Sequence, residues 1–232
     1  MISDNIAKIK GRIASICSKI NIDPASIIIL AVSKNRSVEQ IKELVAAGLT
    51  DIGENKVQEA LLKYNALHPA PYTLIPIRWH MVGHLQTNKV KEAVRMFDLI
   101  QSVDSLRLAV EINKEALKLN KVQDILIEVK TSPEETKFGL MPDKVADAVK
   151  EICNLKNIRL RGLMTVAPLV QNPGESRPYF KQLKELSDRI NVLRLAPCAL
   201  NLLSMGMSED FEIAIEEGAN MVRLGRAIFS DG

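Results

Sequence analysis

A lysine that can act as a nucleophile stands at the end of a long apolar run. Ile27 to Val32 is continuously apolar, and the first polar residues that follow it are Ser33 and Lys34. Such a run predicts a strand that is covered on both faces, and in a parallel α/β fold ligands bind at the carboxyl ends of the strands. An amine in that place can lose its proton by desolvation and attack an aldehyde carbon. The alternative is that Lys34 caps the strand and points into water.

Two segments near the carboxyl end of the sequence predict a site for an anion. The segment Ser204 to Ser208 offers a hydroxyl group, the flexible Gly206 and a helix cap, and Gly225 stands beside the basic Arg226. Barrels often hold phosphate with the loops after their last two strands, where backbone N–H groups face the anion. The alternative is that both glycines only form tight turns.

Arg223 lies two residues before Gly225, so alternation places both residues on the same face of a strand. An arginine directed into a barrel is costly unless it meets a ligand or an acid. Beside the ring nitrogen of an aromatic heterocycle, its charge would keep that nitrogen unprotonated. A lysine nucleophile, an anion site and an inward arginine together indicate a phosphorylated aldehyde held as a Schiff base.

Eight apolar segments alternate with amphipathic helices and would position these residues. The strands are predicted over 27–34, 49–55, 77–83, 98–103, 124–130, 159–168, 199–205 and 221–229. An extra helix precedes them, because isoleucine recurs every three or four residues from Ile2 to Ile20. Eight such units without a linker predict a single (β/α)8 barrel domain over residues 1–232, rather than an open doubly wound sheet.

The composition is that of a soluble globular protein, with 47% hydrophobic and 25% charged residues. A net charge of +3 does not indicate a nucleic-acid partner. The amino-terminal helix mixes charged and apolar residues, which argues against a secretion signal or a membrane span. Cys17, Cys153 and Cys198 lie far apart without metal-ligand spacing. We therefore expect reduced thiols, no metal site and a cytoplasmic location.

Six segments resemble the pyridoxal phosphate homeostasis proteins, the YggS/PROSC family, in their order and their spacing. The segments are 31–34 (AVSK), 51–55 (DIGEN), 79–89 (WHMVGHLQTNK), 162–165 (GLMT), 203–208 (LSMGMS) and 222–225 (VRLG). This resemblance covers almost the whole chain. It implies an alanine-racemase-like barrel of fold type III with pyridoxal 5′-phosphate (PLP) as its cofactor.

The resemblance also implies how the cofactor is held. PLP would form a Schiff base with Lys34, and Arg223 would face the pyridine nitrogen. The residues implied for the phosphate group are Ser204, the backbone near Met205, Gly225 and Arg226. Position 226 is a departure, because threonine or serine often stands there in the family, so backbone or guanidinium would replace a hydroxyl contact.

Five further residues belong to the implied pocket or its surroundings. Asn55 and Thr165 would line the pocket, and Met164 would press against the ring. His80 is either a pocket-wall residue or a core histidine with satisfied hydrogen bonds. Lys137 matches a family lysine near the mouth, and its alternative is a solvated loop charge.

The leading functional hypothesis is a PLP carrier that maintains intracellular PLP and amino-acid homeostasis without established turnover. A racemase of related fold needs a second acid/base, usually a tyrosine, on the opposite face of the ring. Tyr64, Tyr72 and Tyr179 fall in predicted helices or loops rather than at strand ends. The alternatives are a PLP-dependent amino-acid racemase and a cofactor-free lysine aldolase. We expect a monomer with PLP-dependent apoenzymes as possible recipients, and neither nucleic acid nor membrane as a partner.

Overall fold

Eight parallel strands close into a barrel in which the strand order follows the sequence and β8 pairs with β1. The structure is a computed structural model, and it describes residues 1–67, 77–134, 136–196 and 199–230. The strands are β1 (Ile28–Val32), β2 (Asp51–Glu54), β3 (Arg78–Met81), β4 (Leu99–Val103), β5 (Gln123–Glu128), β6 (Ile158–Met164), β7 (Leu202–Ser204) and β8 (Met221–Leu224). This architecture confirms the predicted (β/α)8 barrel.

Helices cover the outside of the barrel. They are α1 (Ile2–Lys19), α2 (Val38–Ala46), α3 (Val57–Leu67), α4 (Val90–Met96), α5 (Leu106–Lys118), α6 (Pro142–Ile152), α7 (Arg177–Val192), α8 (Phe211–Glu216) and α9 (Arg226–Phe229). The amino-terminal helix α1 buries its isoleucine face and packs against α8 and α9. The Asn5 amide donates a hydrogen bond to the Ile228 carbonyl over 3.0 Å. The predicted extra helix is therefore present, and it lies beside the last helices of the chain.

Apolar side chains form two layers because alternate residues of each strand face opposite ways. The outer layer lies between the strands and the helices. The inner layer fills the barrel, and its fully buried members are Leu30, Leu99, Leu126, Met164 and Met221. A side chain that shares a face with one of these residues therefore points into the barrel.

Seven of the eight predicted strands extend past the carboxyl ends of the observed strands, and two of these differences, at β8 and β1, bear on the site. The segment from Met221 does not stay extended to Phe229, because Gly225 (φ −114°, ψ −77°) turns the chain into α9. The Gly225 carbonyl accepts hydrogen bonds from the N–H groups of Ile228 and Phe229, as a helix start does. Similarly, β1 ends at Val32, so Lys34 lies in the turn that follows the strand.

Some sequence predictions fall outside the described residues. These concern Tyr72 and Cys198. Of the other cysteines, Cys17 is buried and Cys153 is partly buried. Within the described ranges, no helix has the length and apolarity that crossing a bilayer requires. In the same ranges, no group of three or more His, Cys, Asp or Glu side chains is arranged to hold a metal ion.

Candidate functional site

Lys34 presents its amine at the mouth of the barrel. It lies in a turn that is closed by a 3.0 Å hydrogen bond from the Arg36 N–H to the Ser33 carbonyl, and it is exposed. Leu30, four residues earlier on β1, points into the barrel. In the part of the chain that the structure describes, no hydrogen bond or ion pair engages the Lys34 amine. The amine is therefore available to a ligand.

The end of β8 lies directly beside the end of β1. A Cβ atom added at Gly225 would come 3.4 Å from the Val32 carbonyl oxygen, which is ordinary van der Waals contact. Gly225 and the Lys34 turn are therefore neighbours at one edge of the mouth. The structure thus brings together the predicted nucleophile and the predicted second glycine.

Arg223 is buried inside the barrel beneath this edge. It shares a strand face with the inward Met221 and is 5% exposed. It donates to the Ser204 carbonyl (2.7 Å), the Ser204 hydroxyl (2.8 Å) and the Thr165 carbonyl (2.7 Å). Burial lowers its pKa to about 10, while Glu128 and Asp210 oppose this shift. Arg223 therefore stays cationic at neutral pH.

A directed chain of hydrogen bonds runs from Arg223 across the barrel. The Ser204 hydroxyl donates to Gln101 Oε1 (2.6 Å), and Gln101 Nε2 contacts His80 Nδ1 (3.0 Å). Because an amide nitrogen only donates, His80 Nδ1 must accept, and its proton resides on Nε2. That nitrogen lies 2.9 Å from Asp51 Oδ1. Both ring nitrogens are thus satisfied, so His80 is the core histidine of the two alternatives.

This geometry already uses the donors of Ser204 and of the Met205 N–H, which belong to the group implied for the phosphate by the resemblance. The only proton of the Ser204 hydroxyl is donated to Gln101, and the residue is fully buried. The Met205 N–H donates to the Met221 carbonyl over 3.1 Å, and its side chain belongs to the outer apolar layer. Neither residue offers a free donor to an anion.

Ser208 stands where a hydroxyl is needed. Its Oγ accepts a hydrogen bond from the Ala227 N–H (3.1 Å), at the start of α9, so its own proton is free to donate. Among the described residues, none accepts a hydrogen bond from the backbone N–H groups of Gly206, Gly225 or Arg226. The Ser208 hydroxyl and these three N–H groups together form a candidate anion site. The sequence identified Ser208 only as a helix cap. That cap, within the segment predicted to bind an anion, was the signal by which its role could have been found.

Arg226 is held loosely above this anion site. Its guanidinium lies 3.3 Å from Glu209, and both side chains are about two-thirds exposed. Exposed ion pairs of this kind contribute about 0–1 kcal/mol. The Arg226 side chain is thus free to turn towards an anion.

Three predicted pocket residues lie in different environments. The Asn55 Oδ1 atom is buried and has no hydrogen-bond partner among the described residues, and Asn55 borders a cavity of about 420 Å³. Met164 is fully buried in the inner layer, below the mouth. The Thr165 hydroxyl donates to the Val129 carbonyl (2.7 Å), so its side chain does not offer that proton to the pocket. Thr165 contributes instead the carbonyl that holds Arg223.

Lys137 lies at the mouth between β5 and β6. Its amine donates to the Ala167 carbonyl (2.6 Å) and lies 3.4 Å from Glu134. The side chain is 20% exposed and lines a cavity of about 200 Å³ with Glu128 and Phe138. Lys137 is therefore more enclosed than a solvated loop charge.

Glu128 is a site residue that the sequence reasoning missed. It shares a face of β5 with the inward Leu126 and is 8% exposed. Burial raises its pKa to about 7, Asp104 adds to this effect and Arg223 opposes it. The signal for Glu128 in the sequence was its position two residues after the inward Leu126. Alternation then directs the carboxyl group into the barrel, where a charge is costly.

The fold and the site define a (β/α)8 barrel that presents a lysine amine, a buried arginine and an anion-binding turn at its mouth. Residues 5–231 match the family model for the alanine racemase N-terminal domain. A protein of Aquifex aeolicus named pyridoxal phosphate homeostasis protein is 42% identical over 228 residues, which are 98% of this chain and 97% of the relative. A Synechocystis protein with the same name is 39% identical over 208 residues, 90% of this chain and 93% of the relative.

The structure of PipY from Synechococcus elongatus with PLP bound is also similar. It is 33% identical with a TM-score of 0.85, and the match covers 99% of this chain and 100% of that chain. The chain therefore belongs to the alanine racemase N-terminal domain family and, within it, to the pyridoxal phosphate homeostasis proteins. This confirms the resemblance that the sequence motifs indicated.

Proposed function

We propose that this protein binds PLP at the barrel mouth, carries it as a Schiff base on Lys34 and maintains intracellular PLP and amino-acid homeostasis. The observation that carries the proposal is the free amine of Lys34 in the turn that follows β1, where the end of β1 lies beside Gly225 and Arg223 is buried inside the barrel. The names of the relatives and the PLP-bound PipY structure support it. We include in the proposal a monomeric, cytoplasmic, single-domain protein that delivers PLP to PLP-dependent apoenzymes.

The residues at the mouth fit the functional groups of PLP. Arg223 uses both Nη1 protons and one Nη2 proton on protein acceptors, which leaves two of its five N–H donors for a ring nitrogen. The Asn55 Oδ1 atom, which has no partner among the described residues, would accept a hydrogen bond from a ligand hydroxyl. Ser208 and the free N–H groups of Gly225 and Arg226 would bind the phosphate group.

The charges at the mouth determine how the bound cofactor can be used. Bound PLP supplies an aldehyde for lysine capture and a ring that can act as an electron sink. Lys34 must be deprotonated to attack the aldehyde carbon, and one water leaves as the C–N bond forms, so no oxidant or reductant is needed. Arg223, as a fixed cation, disfavours protonation of the ring nitrogen and so weakens carbanion stabilisation. This favours a carrier over a catalyst of amino-acid chemistry.

One observation favours the alternative of a PLP-dependent amino-acid racemase. Tyr64 and Tyr179 lie on α3 and α7 and pack against the outer apolar layer. Glu128, however, is an inward carboxyl with a pKa raised to about 7 by burial, and such a group can exchange a proton near neutral pH. Loss of optical rotation from single enantiomers would support the racemase if it disappeared in both Lys34→Ala and Glu128→Gln.

The proposal is tested by locating the covalent link. Purified protein is mixed with PLP, reduced with borohydride and digested, and the modified peptide is identified by mass spectrometry. We expect the label on Lys34, a yellow colour that reduction bleaches, and loss of both in Lys34→Ala. Lys42→Ala, which removes an exposed lysine of α2, is the matched control. A label on another lysine would contradict the proposal, and a protein that gives no colour with PLP would favour the cofactor-free aldolase.

A further inference from the structure

A buried ionic cluster lies on the outer side of the barrel, immediately behind the Lys34 turn. Its centre is Lys63 of α3, which is 6% exposed. The Lys63 amine donates to the Ser33 carbonyl (2.6 Å), to Glu54 Oε1 (2.7 Å) and to Glu59 Oε1 (2.7 Å). All three ammonium protons are therefore used within the protein.

The cluster holds the residues on both sides of Lys34. The Ser33 hydroxyl donates to Glu54 Oε1 over 2.5 Å, and the Asn35 N–H donates to Glu59 Oε1 over 2.6 Å. The Lys34 side chain itself is not part of the cluster. The backbone is thus tethered on either side of one residue whose amine remains free.

The turn contains one residue in an uncommon backbone conformation. Asn35 has a φ of +58°, in the left-handed region that asparagine adopts more readily than most residues with a Cβ. The hydrogen bond from its N–H to Glu59 fixes that conformation. The Ser33 carbonyl receives hydrogen bonds from both Lys63 and the Arg36 N–H, which closes the turn on its other side.

Stability is a poor explanation for this arrangement. Glu54 is fully buried, and within the described part of the chain its Oε2 atom has no hydrogen-bond partner. Burial raises the pKa of Glu54, although Lys63 and Ser33 donate hydrogen bonds to its other oxygen. A buried ion pair is often no more stabilising than apolar residues of similar volume. What the cluster uniquely provides is a defined position for the backbone that carries Lys34.

We propose that Lys63, Glu54 and Glu59 are positioning residues that fix the Ser33–Arg36 turn, so that the Lys34 amine approaches the cofactor aldehyde from one direction. This inference rests on the proposed function. Bond formation requires the reacting atoms to lie about 3–3.5 Å apart, and a displacement of about 1 Å in the groups that hold them can be costly. The lysine side chain is flexible, so the fixed point must be its backbone.

Glu59 offers the cleanest test because its side chain is 24% exposed and its loss leaves the Lys63–Glu54 pair in place. Glu59→Ala removes the acceptor of the Asn35 N–H, whereas Glu59→Gln keeps an oxygen at the same position. We expect Glu59→Ala to weaken Lys34–PLP linkage roughly tenfold, as loss of one charged hydrogen bond allows. We expect Glu59→Gln to restore most of it. Glu111→Ala, which removes a similarly exposed ion-pair partner on α5, should change nothing.

The readouts separate positioning from general damage. The linkage is measured from the PLP absorbance titration and from the fraction of Lys34 labelled after borohydride reduction, and thermal unfolding of the cofactor-free protein reports its stability. Glu59→Ala is also combined with Lys34→Ala. Positioning predicts that the Glu59 effect vanishes in the double variant, because no amine remains to be positioned.

An equal loss of PLP affinity with and without Lys34 would overturn the proposal, as would unchanged linkage in Glu59→Ala. Should Glu59→Ala not fold, Ser33→Ala removes the other tether and should lower the linkage severalfold. A failure of the proposed function looks different, because the wild-type protein would then show no Lys34 label at all.

Discussion

Replacing Glu128 with glutamine should remove a pH-dependent loss of stability. Burial raises the pKa of Glu128 from 4.5 to about 7 in the folded protein. At 1.36 kcal/mol per pKa unit, this shift corresponds to about 3 kcal/mol. That is a large share of the 5–15 kcal/mol by which domains are typically stable.

The direction of the effect follows from proton linkage. Between about pH 4.5 and pH 7 the folded protein binds more protons at Glu128 than the unfolded chain does. The contribution of Glu128 is therefore most favourable below about pH 4.5, and it is lost as the pH rises to about 7. Glutamine resembles the protonated form of Glu128 and, like that form, is a neutral neighbour of Arg223. Glu128→Gln should thus match the wild type at low pH and exceed it above.

Urea unfolding of the cofactor-free protein at several pH values measures this difference directly. We expect Glu128→Gln to be more stable by roughly 1 kcal/mol near pH 5.5 and by about 3 kcal/mol near pH 8. Glu151→Gln, at an exposed position of α6, is the matched control and should show no such trend. A stability difference that stays constant with pH would refute the reasoning, because Glu128 would then ionise alike in both states.

Two comparisons test the anion site and the close packing near Asn55. Ser208→Ala should weaken PLP retention on dialysis by about 1.5–3 kcal/mol, with little change in the free energy of unfolding. Ser204→Ala should lower the free energy of unfolding by about 1–3 kcal/mol, because it leaves two buried partners unsatisfied. The reverse pattern would assign the phosphate contact to Ser204. Gly83→Ala places a Cβ atom 2.3 Å from the Asn55 carbonyl oxygen and should cost about 1–3 kcal/mol in urea unfolding. Gly11→Ala meets nothing within 4 Å in α1 and should stabilise the protein by about 0.5–1 kcal/mol, so equal effects at both glycines would contradict this packing.

The fold was predictable because its signals are local. Each strand pairs with the strands next to it in sequence, so a correct order of apolar runs and helices already implies the barrel. The errors in the predicted strands lie at the strand ends, where one residue determines whether the chain stays extended. Gly225 ends β8 and starts α9, although the apolar character of the sequence continues to Phe229.

The candidate site was predictable only in part. Lys34 and Arg223 follow from strand ends and alternation, and the structure places the first at the mouth and the second inside the barrel. The choice between Ser204 and Ser208 could not be made, because Gln101, which accepts the Ser204 proton, lies 103 residues away in sequence. Likewise, the sequence does not show that the Thr165 hydroxyl donates to the Val129 carbonyl, 36 residues away.

The sequence by itself determined the barrel, the family and which residues stand at the carboxyl ends of its strands, since periodicity and spacing are properties of neighbouring residues. Only the tertiary structure decided which hydroxyl is free, that Glu128 titrates near neutrality and that Lys63 tethers the Lys34 turn. Hydrogen bonding and desolvation depend on distances between side chains from different strands and helices. Those distances exist only once the barrel has closed.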